Sequence, residues 1–109
     1  MLQSQFNYWF GKELKAYEFE TLTVTNAAKA FTSAKLSATG KENAIRAIVT
    51  VEDDSIRYRV DGSDPSATVG HLVYAGGTIT IEGITNLTRF RAFRVTTDAK
   101  ITVSYERYE

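Results

Sequence analysis

Cysteine is absent from the chain, and proline, histidine, methionine and tryptophan occur once each in its 109 residues. Without cysteine there is no disulfide, no thiolate metal site and no thiol nucleophile, and the redox compartment stays open. No apolar run approaches the roughly 20 residues that cross a bilayer as a helix, so no membrane partner is expected. The opening MLQSQFNYWFGKELK lacks the basic and apolar regions of a secretory signal, which predicts retention in the cytoplasm or assembly there. Charge of one sign is missing too, with 13 Lys and Arg against 13 Asp and Glu. A neutral domain is a poor phosphate binder, which argues against nucleic acid. It also lacks the long-range repulsion that keeps copies apart, so self-association into a homo-oligomer is expected.

What is present reads almost wholly as strand. Ile56, Tyr58 and Val60 alternate with Arg57 and Arg59, the period-2 pattern of a strand with one buried and one wet face. Asp61-Gly62 ends that strand, and Pro65 presets a corner in a short acidic loop that runs to Gly70. Asp bonds its own backbone, Gly takes positive φ and Pro fixes φ, so Asp61, Gly62, Pro65 and Gly70 are expected to hold the loop rigid. Ile45, Ala47, Val49 and Val51 share one face of a strand over Ala44–Glu52, and Ile79 and Ile81 point inward between threonines. Thr21–Thr25 is a β-branched strand, and Phe31 with Leu36 marks a short extended stretch. Asp53-Asp54 and Thr96–Ala99 read as hairpin turns joining Ala44–Glu52 to Ser55–Val60 and Arg89–Val95 to Lys100–Tyr108. About seven short strands spaced roughly ten residues apart predict a single-domain, all-β antiparallel sandwich or flattened barrel, jelly-roll-like or immunoglobulin-like.

The first residues differ. Phe6, Trp9 and Phe10, with Leu2, Leu14 and Tyr17, fit a helical face approximately, although Gly11 costs such a helix about 1 kcal/mol. Residues 1–19 are read as an N-terminal arm on a β-domain of residues 20–109. Two readings stay open: the arm covers its own sheet, or its aromatic residues reach a neighbouring subunit.

Three polar constellations bear on chemistry. His71, the lone histidine, has Asp61, Asp64 and Glu82 within reach in sequence, but a triad needs a nucleophile and an oxyanion site. It reads instead as a strand-start residue bonded to a turn, and no catalytic residue is assigned. Asp53-Asp54 and Asp61–Asp64 lack the D-x-[DN]-x-[DN]-G pattern of a calcium loop; Asx-turn chemistry accounts for them, and neither metal nor cofactor is expected. Arg57, Arg59, Arg89 and Arg91 would crowd one surface if their strands pair. Either Glu18, Glu20, Glu52, Glu82 and Glu106 neutralise them within the domain, or they form an interface with another protein.

The run Arg57-Tyr58-Arg59, Asp61-Gly62, Pro65 and Gly70-His71-Leu72 resembles a group of small tailed-bacteriophage virion proteins. The similarity continues through Thr78–Gly83, Phe90–Arg94 and Val103–Tyr105. It implies a non-enzymatic structural role in the virion, as an auxiliary or decoration protein of the head or head–tail region. Other virion proteins would be its partners. The shorter YRVDGSDPS is also similar to strand-turn pieces of immunoglobulin-like modules appended to carbohydrate-active enzymes. That leaves a carbohydrate- or surface-binding module as the alternative.

Overall fold

The computed structural model describes residues 11–109. The strands are β1 (Leu14–Val24), β2 (Arg46–Glu52), β3 (Ile56–Arg59), β4 (His71–Val73), β5 (Thr78–Glu82), β6 (Arg91–Arg94) and β7 (Ala99–Tyr108). Among the described residues, two short helices, α1 (Ser33–Leu36) and α2 (Ile84–Arg89), interrupt them. The strands form a four-stranded sheet of order β1-β7-β2-β5 and a three-stranded sheet of order β4-β3-β6. Every pairing is antiparallel.

Lys29 adds an isolated antiparallel bridge to Ala92 on the outer side of β6. Counting that bridge as the remnant of a strand between β1 and β2 gives eight positions along the chain. First then pairs with last (β1–β7), second with seventh (Lys29–β6), third with sixth (β2–β5) and fourth with fifth (β3–β4). This is one long antiparallel hairpin, with its tip in the loop of residues 60–70, rolled into two facing sheets. Such rolling defines the jelly roll among the β-sandwiches.

Alternation explains the core. Ala47, Val49, Val51, Ile101, Val103 and Tyr105 face inward from the larger sheet and Ile56 and Ala92 from the smaller, all at most 1% exposed. Where α1 and α2 close one end, Phe31 stacks on Phe90 with ring centroids 4.1 Å apart, and Tyr105 meets Phe31 edge-on at 5.6 Å. Such pairs contribute about 0.5–1.5 kcal/mol beyond the area they bury. The small residues Ala44, Ala47 and Ala92 are fully buried and leave volume for these rings. The Tyr105 hydroxyl donates to Glu20, which also accepts from the Thr32 hydroxyl at 2.6 Å. Burial alone would raise Glu20, but the bonds from Thr32 and Tyr105 outweigh it and hold the carboxyl below its ordinary value.

Several local readings change. Neither Asp53-Asp54 nor Thr96–Ala99 is a hairpin turn: β2 and β3 lie in different sheets, as do β6 and β7. Both segments are corners between layers, and Asp54 ties them together by accepting the Thr96 and Thr97 N–H groups at 2.8 and 2.7 Å. The stretch from Phe31 to Leu36 contains the helical turn α1 rather than extended chain. Leu14 and Tyr17 belong to β1, not to a helical face. The last six residues of the expected arm, Leu14–Phe19, therefore belong to the first strand. A bulge near Tyr17 places its ring under the Arg107 guanidinium, 3.9 Å from the centroid. The expectations for Phe6, Trp9 and Phe10 lie outside the described residues.

Candidate interaction surface

The hairpin tip is built as its turn residues require. Gly62 has φ 89 and Gly70 φ 131, both closed to most side chains. Asp61 accepts the Ser63 N–H at 3.2 Å, the Asx turn its position implies. A parallel turn follows, where the Ser66 hydroxyl accepts the Val69 N–H at 3.1 Å and the Ser66 N–H reaches the Val69 carbonyl at 2.9 Å. Pro65 is buried beneath Gly70.

The arginines do not pair with the expected glutamates. Arg57 and Arg59 stand on β3 and Arg91 on β6, with Arg59 directly opposite Arg91. Glu18, Glu20, Glu52, Glu82 and Glu106 all belong to the other sheet. There Arg46 bonds Glu106 at 2.5 Å and lies 3.9 Å from Glu82. Lys100 meets Glu52 at 3.9 Å, and Lys35 meets Glu18 at 3.4 Å. Arg57 is instead a clamp on the tip, donating to the Ala67 carbonyl at 3.1 Å and the Gly70 carbonyl at 3.0 Å. Arg59 forks onto Asp61 at 3.1 and 2.5 Å. That bond, with the Ser63 N–H, holds the Asp61 carboxyl below its ordinary value. Arg91 caps α2, donating to the Thr88 and Phe90 carbonyls at 3.0 and 2.7 Å, where a cation also suits the helix dipole.

Arg89 is the last residue of α2 rather than part of a strand. It is exposed, pairs with no carboxylate among the described residues, and passes beside Gly62. The structure thus brings all four arginines to the tip and the smaller sheet, but spends three of them on intramolecular bonds. A guanidinium donating to loop carbonyls has no sequence signature, which is why the clamp was not visible from alternation alone.

The exposed apolar residues are more telling. Among the described residues the large exposed hydrophobics are Phe19 (62%), Val69 (52%), Leu72 (38%) and Tyr74 (70%). Three of these four fall between Val69 and Tyr74, on and around β4, the free edge of the smaller sheet. Leu72 is opposite Arg57, and Arg57 is opposite Phe93, so the outer face carries a row of apolar and aliphatic surface. His71 begins β4 as expected, but its ring packs 5.2 Å from the Tyr58 ring instead of bonding a turn. Among the described residues no three His, Cys, Asp or Glu side chains are grouped to hold a metal ion. No helix among them is long and apolar enough to cross a membrane. A groove of about 720 Å³ lies where the two ends of the described chain meet, lined by Lys12, Lys41, Glu42, Arg107 and Glu109. Its Lys12–Glu42 pair at 2.9 Å and Arg107–Glu109 pair at 2.6 Å leave mostly neutralised charge.

Comparison with known proteins gives no match to a family model, a curated protein or a solved structure.

Proposed function

We propose that this chain is a non-enzymatic assembly protein of a tailed-phage particle. Its role is that of an auxiliary or decoration component of the head or head–tail region, built in the host cytoplasm and acting through contacts with its own copies and other virion proteins. The observation that carries the reading is that Val69, Leu72 and Tyr74 are all exposed on and around β4, a free sheet edge beside a clamped tip. Side chains of that size gathered on a soluble domain mark contact surfaces rather than random exposure. The tip supports the same reading, because a loop clamped by Arg57, Arg59 and Pro65 meets a partner with little ordering cost.

Jelly rolls serve both capsid and lectin domains, so the fold alone does not choose between assembly and carbohydrate binding. The neighbours of Tyr74 favour assembly. A sugar ring needs convergent polar groups beside an aromatic plane, whereas Tyr74 is accompanied by the exposed aliphatic Leu72 and Val69. The test is quantitative mass spectrometry of gradient-purified particles produced from the genome that encodes this chain. The chain present at a fixed ratio to the capsid protein supports the proposal. Its absence from the particles, with retention of the free protein on a polysaccharide array, transfers the assignment to the carbohydrate reading.

A further inference from the structure

The two flanks of the sandwich are protected very differently. On one flank the free edge is β1, which carries Lys15, Glu18 and Glu20 and a bulge near Tyr17. Charges and bulges are the devices by which proteins stop edge strands from pairing. The neighbouring edge, β6, is already satisfied by backbone bonds to Lys29 and Thr25. On the other flank the free edges are β4 and β5, joined by the tight turn from Tyr74 to Gly77. Every residue from Thr68 to Ile81 is free of formal charge, with no Asp, Glu, Lys or Arg in the run. Among the described residues, β4 makes no backbone bond except to β3. This flank has an open ladder, exposed apolar side chains and none of the usual guards.

We infer that β4 is the edge on which two copies of this chain pair, antiparallel about a two-fold axis through Leu72. This deepens the assembly reading by naming the surface where copies meet. A second copy is the occupant because the edge is neutral: a partner chosen by charge would find nothing to read, while an uncharged edge is complementary to itself. Zero net charge on the whole chain leaves no long-range repulsion between copies. With Leu72 on the axis, Leu72 faces its symmetry mate, His71 faces Val73, and Tyr74 comes opposite Gly70. A large ring thereby meets a residue without a side chain. No like charges are apposed, and the three-stranded sheets join into one six-stranded layer.

The chain has no native cysteine, so Leu72→Cys places a single thiol on the proposed axis. Directly opposed residues in an antiparallel pair lie about 4.5–5.5 Å apart, within the span a disulfide bridges. The full chain is expected to sediment as a dimer at about 100 µM, and Leu72→Cys to form a disulfide dimer on mild oxidation. Leu72→Lys, which sets two ammonium groups face to face, is expected to weaken dimerisation at least about tenfold. Phe19→Cys and Phe19→Lys on the guarded edge serve as controls, and circular dichroism confirms that each variant is folded. A parent chain that stays monomeric at that concentration overturns the inference. So does cross-linking of Phe19→Cys as fast as Leu72→Cys. Because none of these measurements involves a particle, failure here leaves the virion proposal standing, and its failure leaves the dimer standing.

Discussion

Replacing Gly70 with alanine puts the packing of the hairpin tip to a quantitative test. At φ 131 an L side chain is strained wherever it points, at a cost of about 1–3 kcal/mol. The added Cβ would also lie 3.1 Å from each of three atoms: Arg57 Cβ, Pro65 Cβ and the Tyr58 carbonyl oxygen. All three are held by the main chain or sit one bond from it, so none can swing aside as a long side chain would. Crowding of this kind adds about 1–3 kcal/mol. A total near 3–4 kcal/mol lowers the melting temperature of a domain this size by roughly 15–25 °C. Gly62→Ala is the matched control, since φ is 89 there but the nearest atom to its Cβ is Arg89 Cδ at 4.0 Å. Only backbone strain remains, and the expected loss is about half as large. Thermal melts of both variants by calorimetry decide the matter. Equal losses, or a larger loss at Gly62, would refute the close packing of Arg57, Pro65 and Tyr58 around Gly70.

Other outcomes follow from the same contacts. Arg57→Met keeps the aliphatic stem but removes the bonds to the Ala67 and Gly70 carbonyls; limited proteolysis between Asp61 and Gly70 should become faster, while an unchanged cleavage rate would mean the clamp is idle. Acid should destabilise the domain, because Asp54, Asp61 and Glu20 are all held below their ordinary pKa values. For a depressed folded-state pKa the stabilisation is complete above the unfolded values of 3.8 and 4.5 and drains away as pH falls through the lower folded values. Urea titrations of Asp54→Asn should show a shallower acid slope than the parent. Removing Met1–Tyr17 should lower the melting temperature, since that cut takes Leu14–Tyr17 of β1 and the Arg107 stack with them.

Burial was legible in the sequence, and partnership was not. Alternation at Ala47, Val49 and Val51 and at Ile79 and Ile81 identifies inward faces correctly, because period 2 is a property of the strand itself. It does not say which sheet a strand joins. Asp53-Asp54 and Thr96–Ala99 have the composition of hairpin turns, yet each carries the chain across the sandwich. What distinguishes them is a carboxylate bond from Asp54 to Thr96 and Thr97, 42 and 43 residues away. The helix α2 was missed for a related reason. Six residues with two threonines and one buried leucine are too short to display a helical period. At the tip, Asp61 and Gly62 announced their conformations because turn geometry is local. The arginine roles were hidden because backbone carbonyls accept from any donor that reaches them.

Hydrogen exchange, read peptide by peptide on free chain diluted until it is monomeric and on chain assembled in the proposed particle, tests the central claim most directly. An assembly protein that meets its neighbours along β4 should show slowed exchange across Val69–Tyr74 in the particle, with Leu14–Val24 changed little, since an amide that joins a new ladder is shielded from water. Identical exchange of Val69–Tyr74 in the two states would contradict the account.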